Sequence, residues 1–308
     1  MGSVIAMDVG GTAVKYALVD QQGAISRQGL METRAQEGGE ALMERMLAQM
    51  ERLAKGRDDL LGVAISTAGH VSRDRASVVY ASNLPGWTGM PVARRVRQRT
   101  GYPCVVENDV NAAALGERWL GAARDCRALL MVTLGTGVGG AAIVGGQLLT
   151  GAEGAAGEFG HICLYPGGLP CDCGQQGCFE RYASTSALKR LSSQLPQDHP
   201  GHGEVKALFA ACRQGDPAAQ AILDRWLEDL SQGLASLVHC YNPDVLLLGG
   251  GVSAQGEYLS EQVCLKLQRK VMPSFMAGLA VKTAALGNQA GMLGAAYSLL
   301  SRINQWMM

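Results

Sequence analysis

Apolar runs that end in glycine turns predict a repeated strand–turn–strand unit. Residues 4–9 (VIAMDV) form such a run before Gly10, Gly11 and Thr12, and a second extended run covers residues 14–19. Residues 129–134 (LLMVTL) repeat the arrangement about 125 residues further along, with a glycine turn and a second strand at 141–144. The repetition indicates a duplicated domain.

Helical spacing of apolar positions predicts the elements between these strands. We expect helices at 39–55, 109–120, 179–194, 205–212, 216–239, 257–271 and 290–305, and further strands at 60–65, 103–106 and 244–248. Strands that alternate with helices predict an α/β fold with mixed sheets. Since 308 residues is long for one domain, we expect two lobes. We place them at 1–118 plus 291–308 (N-terminal) and at 119–290 (C-terminal, including 157–180).

Composition and charge narrow the functional classes. Twenty-seven basic residues balance 27 acidic ones, which argues against binding driven by the charge of nucleic acid or an anionic membrane. The N-terminus has no signal-peptide pattern, and no apolar run reaches the length of a membrane span. Nine cysteines, an odd number, fit a reducing compartment better than a disulfide framework. These features predict a soluble cytoplasmic protein.

One segment has the spacing of a zinc site. Cys171, Cys173 and Cys178 follow His161 in a C-x-C-x4-C run. Three thiolates and one imidazole complete a tetrahedral zinc shell with no position open for water, so we expect a structural metal. Two carboxylates lie beside this loop: Glu158, three residues before His161, and Glu180, two residues after Cys178. The segment therefore predicts a binding site that a metal holds rigid.

The glycine loops predict a nucleotide site of an unusual kind. A dinucleotide-binding turn leads from a strand into a helix, but 135–140 (GTGVGG) leads into another strand, and neither loop has the Gly-Lys-Ser/Thr of a Walker loop. We expect hairpin backbone N–H groups to hold phosphates, with Thr12 and Thr136 as further donors. Asp8 can hold a metal ion directly or through water. A third cluster, Gly249–Gly251, supports this interpretation, although each loop alone is also compatible with a plain hairpin turn.

Asp109 is a candidate general base. It lies between the predicted strand 103–106 and an alanine-rich helix, in the run Glu107-Asn108-Asp109. A carboxylate at such a junction, facing a cleft between the lobes, can accept the proton of a substrate hydroxyl during phosphoryl transfer. Asn108 beside it can hydrogen-bond the same substrate. The alternative is that Asp109 only caps the helix.

Taken together, these segments resemble the ROK family of sugar kinases and sugar-responsive repressors, over essentially the whole chain. Residues 8–15 (DVGGTAVK) and 134–140 (LGTGVGG) are similar to the two phosphate motifs of the actin/hexokinase superfamily, and 248–253 (LGGGVS) to its adenosine motif. Residues 107–112 (ENDVNA) resemble the segment of the catalytic base, and 157–161 with 171–180 match the family's own signature. The resemblance implies a two-lobed actin/hexokinase-like (ribonuclease H-like) fold with an interlobe cleft.

The resemblance also assigns roles to residues. It implies phosphorylation of a hexose or N-acetylhexosamine at its 6-hydroxyl by ATP and Mg²⁺, with Asp109 as the base. The implied sugar ligands are Asn83, Asn108, Asp109, Glu158, His161 and Glu180, with Glu158, His161 and Glu180 on the anomeric side. The implied ATP and Mg²⁺ ligands are Asp8, Gly10, Gly11, Thr12, Lys15, Gly135, Thr136, Gly137, Gly250 and Gly251. The implied ligands of a structural Zn²⁺ are His161, Cys171, Cys173 and Cys178.

Two other functions are compatible with parts of this pattern. Sugar-sensing repressors of the family carry a DNA-binding segment before the first phosphate motif, whereas Asp8 follows only seven residues here, so we expect the kinase. A filament protein of the actin superfamily explains the glycine loops but not the zinc segment. Residues 65–70 (ISTAGH) lack the proline common in the family's G-x-P-G stretch near the sugar. The sugar therefore stays open among glucose, N-acetylmannosamine, another hexose and a β-glucoside. A homodimer is usual in the family.

Overall fold

The computed structural model describes residues 2–82 and 84–306, and these residues divide into two units. The first unit consists of the described residues within 1–125, 148–156 and 285–308, and the second of those within 126–147 and 157–284. The chain thus passes from one unit to the other more than once. The lobe boundaries at 118/119 and 290/291 stay a prediction.

The secondary structure follows the chain in alternating stretches of strands and helices. The strands are β1 (Ser3–Val9), β2 (Ala13–Asp20), β3 (Ile25–Glu32), β4 (Leu60–Thr67), β5 (His70–Val71), β6 (Val78–Tyr80), β7 (Cys104–Asn108), β8 (Leu129–Leu134), β9 (Val138–Val144), β10 (Gln147–Leu148), β11 (Val245–Gly249) and β12 (Ala280–Thr283). The helices are α1 (Gly39–Ala54), α2 (Val92–Thr100), α3 (Asp109–Leu120), α4 (Glu180–Ala183), α5 (Thr185–Ser192), α6 (Val205–Arg213), α7 (Pro217–Tyr241), α8 (Glu257–Leu267), α9 (Pro273–Met276) and α10 (Ala290–Trp306). Short 3₁₀ turns cover Ala35–Glu37, Phe159–His161, Gly251–Gln255 and Gly287–Gln289.

Each unit contains a mixed sheet, and the two sheets have the same strand order. The first runs β3-β2-β1-β4-β7 and the second β10-β9-β8-β11-β12. In both, the central strand pairs antiparallel with its hairpin partner and parallel with the strand on its other side. The predicted α/β fold with mixed sheets is confirmed, and the shared order agrees with the predicted duplication.

The central strands β1 and β4 of the first sheet are buried on both faces, which explains their nearly continuous apolar sequences. Because side chains alternate along a strand, Ile5 and Met7 of β1 pack into a core cluster with α1 and α2, whereas Val4 and Ala6 pack against α10. In the second unit, the buried face of α7 supplies much of the core. Although α7 is 25 residues long, no helix within 2–82 and 84–306 is long and apolar enough to cross a membrane.

One predicted helix differs from the structure. The segment 179–194 forms two helices, α4 and α5, instead of one. Ser184 between them has extended backbone angles, and its hydroxyl accepts the N–H of Ala187 at 3.1 Å as the N-cap of α5. The side-chain cap competes with a continuous helix at this residue.

Candidate functional site

The first glycine turn joins β1 to β2 as a tight hairpin. The N–H of Gly10 donates to the carbonyl of Ala13 at 3.1 Å, and the Thr33 hydroxyl donates to the Gly10 carbonyl at 2.6 Å. Gly11 and Thr12 at the tip are exposed. The turn is therefore anchored at its base while its tip is accessible, as a loop that contacts a phosphate requires.

Asp8 lies at the end of β1 with partners on both neighbouring strands. The sheet register places Lys15 of β2 and Ser66 of β4 directly opposite it. Lys15 Nζ lies 3.1 Å from Asp8 Oδ2, and the Ser66 hydroxyl donates to Asp8 Oδ1 at 2.8 Å. Gly291 in the first turn of α10 leaves room for this group, since a Cβ there would lie 2.8 Å from Asp8 Oδ1. Four elements thus fix one carboxylate, which remains 18% exposed.

At the junction of β7 and α3, both Asn108 and Asp109 accept the N–H of Val110 in the first turn of the helix, at 2.9 and 3.0 Å. Asn108 is the N-cap of α3, because its Oδ1 accepts the N–H groups of Val110 at 2.9 Å and Asn111 at 3.1 Å. Asp109 follows as the first helical residue and is half-buried. Asn108 Nδ2 donates to the Gly69 carbonyl at 3.0 Å. Since an amide nitrogen carries two hydrogens, Asn108 can offer at most one of them to a sugar.

The second and third glycine clusters lie side by side in the second unit, at the carboxyl ends of the parallel strands β8 and β11. Gly135 donates to the Gly137 carbonyl at 3.0 Å and accepts the N–H of Thr185 at 2.9 Å. Gly250 has a φ of +83° and contacts the backbone of Leu134 so closely that a Cβ would collide with it. Only glycine fits there, and the exposed backbone of both clusters occupies one edge of the sheet.

The predicted zinc ligands converge. One donor atom from each of His161, Cys171, Cys173 and Cys178 lies within 4.8 Å of the others. The Sγ atoms of Cys173 and Cys178 are 3.5 Å apart, and Cys171 Sγ is 3.7 Å from His161 Nδ1. A Zn–S bond of about 2.3 Å with tetrahedral angles separates two sulfur ligands by about 3.8 Å. The donor set and its spacing therefore fit a structural Zn²⁺.

The thiols differ in their environment. Burial raises the pKa of Cys171 to about 12 and also raises the pKa of Cys178. A hydrogen bond from the backbone N–H of Gln175 lowers the pKa of Cys173, which is exposed. A zinc ion binds thiolates, so a Zn²⁺ at this cluster would favour the deprotonated form of the buried cysteines.

Glu180 connects the cysteine cluster to the second glycine loop. The Cys171 thiol donates to Glu180 Oε1 at 3.1 Å. The other oxygen, Oε2, lies 2.5 Å from where a Cβ would sit on Gly137. His161 turns its Nδ1 toward the cysteines and its Nε2 toward Glu158, 4.0 Å from Oε2 of that carboxylate. One ring nitrogen of His161 can thus bind a metal while the other faces an exposed carboxylate.

The structure thus groups the predicted residues into local sets. The first unit holds Asp8, Gly10, Gly11, Thr12, Lys15, Asn108 and Asp109, and the second holds Gly135, Thr136, Gly137, Glu158, His161, Cys171, Cys173, Cys178, Glu180, Gly250 and Gly251. Asn83, the remaining predicted sugar ligand, lies outside the described residues. Sequence reasoning gave no role to Ser66, Gly291 or Thr185. The contact of Ser66 with Asp8 follows only from the parallel register of β1 with β4. The contact of Gly291 with Asp8 follows only from the packing of α10.

Comparisons with known proteins agree with the sequence resemblance. The family model described as the ROK family matches residues 4–302. The chain is 35% identical to a glucokinase of Thermotoga maritima, over 97% of this chain and 98% of that protein. It also resembles the crystal structure of a ROK family glucokinase from Streptomyces griseus in complex with glucose and AMPPNP, with a TM-score of 0.80 and 37% identity over 96% of this chain and 98% of that one. A putative xylose repressor of Caldicellulosiruptor is 29% identical over 98% of this chain and 79% of its own length. The family model covers nearly the whole chain, and the chain belongs to the ROK family.

Proposed function

We propose that the protein is an ATP-dependent sugar kinase that phosphorylates a hexose or N-acetylhexosamine at its 6-hydroxyl. The observation that carries the proposal is the start of α3. Asn108 is the N-cap there and accepts two N–H groups, so the helix has a cap besides Asp109. Asp109 is half-buried, and its Oδ1 also accepts the N–H of Val110 at 3.0 Å. The glucokinase relatives, one of them solved with glucose and AMPPNP, support sugar and ATP as the substrates.

Asp109 is the general base of the proposed reaction. As the 6-oxygen of the sugar attacks the γ-phosphorus, its proton passes to Asp109, the new O–P bond forms, and the bond to the β-phosphate oxygen breaks to release ADP. Phosphoryl transfer needs little covalent chemistry from the protein, so positioning and charge stabilisation supply most of the rate. Glu158, His161 and Glu180 are the proposed ligands of the other end of the sugar.

The glycine turns are the proposed phosphate ligands. The turn at Gly10–Thr12 and the loop at Gly135–Gly137 present exposed backbone beside a threonine hydroxyl in each case. Asp8 is the proposed ligand of the Mg²⁺ that accompanies ATP, directly or through water, and the ion would neutralise phosphate charge. Lys15, already 3.1 Å from Asp8, supplies a second positive charge.

The zinc is proposed to act on the site only through structure. Its four protein ligands leave no open position, so it would fix the His161 ring and the loop that carries Glu180. A metal ligand that is also oriented by a neighbouring carboxylate is a common arrangement. We also retain the homodimer and the cytoplasmic location as predictions; sedimentation of the purified protein measures the first.

The experiment that tests the proposed function is a coupled assay of ADP release with Mg-ATP and a panel of sugars. The panel contains glucose, mannose, N-acetylmannosamine, N-acetylglucosamine and a β-glucoside. We expect one sugar at least to raise ADP release about a hundredfold above the rate without sugar, because a site closed over the sugar excludes water from the γ-phosphate. ADP release that no sugar stimulates would overturn the kinase proposal and favour a regulator that only binds sugar.

A further inference from the structure

A buried ion pair lies next to the start of α3, the helix that begins with Asp109. Glu107, in β7, is 1% exposed, and its carboxylate pairs with the guanidinium of Arg75, whose side chain is 10% exposed. The Ser298 hydroxyl of α10 donates to Glu107 Oε2 at 3.4 Å. Burial, with a smaller contribution from the charge of Arg302, lowers the pKa of Arg75 to about 10, so the guanidinium keeps its charge at neutral pH. A buried ion pair is weak evidence for stability, because desolvation cancels much of its attraction.

The backbone of Arg75 is specialised as well. Its φ of +63° lies in the left-handed region, which is uncommon for a residue other than glycine. Its N–H donates to the Ser72 carbonyl at 2.8 Å, and its own carbonyl accepts the N–H of Val106 at 2.9 Å. Val106 belongs to β7, the last strand in its sheet's order. The turn between β5 and β6 is thus fastened to the strand that leads into α3.

A short chain of contacts leads from this pair to Asp109. Glu107 Oε1 accepts the backbone N–H of Asn108 at 3.2 Å. Asn108 in turn caps α3 through its side chain, and Asp109 is the next residue. The carboxylate of Glu107 therefore sets the direction in which β7 passes into the helix, and Arg75 holds that carboxylate in place.

We propose that Glu107, held by Arg75, is a positioning residue for the general base Asp109. This inference rests on the proposed function, since it presupposes that Asp109 takes the proton of the sugar hydroxyl. A misplacement of about 1 Å in a reacting group can lower a rate about a hundredfold. Loss of the pair should therefore reduce kcat without changing what the glycine loops bind.

The first test replaces Glu107 by Gln, which keeps the shape of the side chain and removes its charge. We expect kcat to fall about ten- to a hundredfold, while KM for ATP stays within about twofold. Arg75→Lys, which keeps the charge but loses the planar guanidinium, should lower kcat about fivefold or more. Asp59→Asn is the matched control. Asp59 pairs with Arg57 at 2.7 Å and accepts the Ser3 hydroxyl at 3.0 Å, at the end of β1 that is farther from Asp8. The control should leave kcat unchanged.

The decisive test is a double-mutant cycle with Asp109→Asn. If Glu107 acts through Asp109, Glu107→Gln should lower kcat in the wild-type background and have almost no further effect in the Asp109→Asn background. An equal fold-decrease in both backgrounds would overturn the inference and show a merely structural effect. Should Glu107→Gln not fold, Arg75→Lys takes its place in the same cycle, and wild-type kcat in that variant would equally overturn it. Full turnover of Asp109→Asn alone would refute the general-base role on which the inference rests, whereas ADP release that no sugar stimulates in the wild type would refute the proposed function.

Discussion

Gly291→Ala is the substitution that tests the Asp8 site most selectively, because Gly291 has no side chain and its position is set by packing alone. An added Cβ would lie 2.8 Å from Asp8 Oδ1, 2.9 Å from Asp8 Cγ and 3.0 Å from the Ser66 Oγ. Carbon and oxygen atoms approach to about 3.5 Å at the optimum, so the carboxylate has to retreat by about 0.6 Å or more. That shift of the Asp8 carboxylate disturbs both its hydrogen bond from Ser66 and its ion pair with Lys15.

The energetic cost of this substitution is modest. Overpacking costs about 1–3 kcal/mol, while alanine in a helix gains about 0.5–1 kcal/mol over glycine. We therefore expect the free energy of unfolding to fall by no more than about 2.5 kcal/mol, which leaves a folded protein. Activity should suffer more: if Asp8 holds the Mg²⁺ of ATP as proposed, a displacement of this size should lower kcat/KM for ATP about ten- to a hundredfold.

Steady-state kinetics with ATP as the varied substrate measures the effect, and urea unfolding measures the stability. Gly278→Ala is the control, since a Cβ there has no neighbour within 4 Å. Ser66→Ala, which removes the hydrogen bond without adding an atom, should weaken ATP use in the same direction. Wild-type kcat/KM for ATP in a folded Gly291→Ala protein would refute the role assigned to the position of Asp8.

Three further outcomes are expected. Asp109→Asn should keep the fold and ATP binding and lower kcat about 10²–10⁴-fold, the usual range for a general base; near-normal turnover would contradict that role. Cys173→Ser should contain no zinc in elemental analysis, should melt at a lower temperature and should bind sugar more weakly. The control is Cys163→Ser, which changes an exposed thiol outside the ligand set and should keep the metal. Normal sugar affinity in a verified zinc-free protein would refute the link. Glu117→Gln should lower the free energy of unfolding by about 1–3 kcal/mol, because the buried carboxylate accepts N–H groups of Ala122 and Leu286 at 2.9 and 2.7 Å; an effect no larger than that of the exposed Glu51→Gln would contradict this.

Local patterns predicted the elements whose burial shows in the sequence. The helix α1 has a regular apolar stripe that ends at Leu53, and β1 is apolar except for Ser3 and Asp8, so both lie within one or two residues of their predicted bounds. The helix α2 was not predicted, because only Val92 and Val96 of its nine residues are buried. The strand β3 was also missed, because its side chains are mostly exposed. Its hydrogen bonds to β2 stabilise it instead.

The candidate site was predictable to the extent that its residues are neighbours in the chain. The spacing of Cys171, Cys173 and Cys178 identifies the cluster because a short loop has to bring them together. The partners of Asp8 and Glu107 are different. Ser66 is 58 positions from Asp8, and Arg75 reaches Glu107 from the turn between β5 and β6. No local pattern specifies contacts that depend on sheet register and on the packing of distant turns.

The most direct measurement of the central claim is the position of the phosphate on the product. The protein is incubated with Mg-ATP and the best sugar of the panel, and the phosphorus–proton couplings of the product are recorded by two-dimensional NMR. The proposal predicts a phosphorus coupled to the two protons on carbon 6. A phosphorus coupled to the anomeric proton, or inorganic phosphate as the only new signal besides those of ADP, would contradict it.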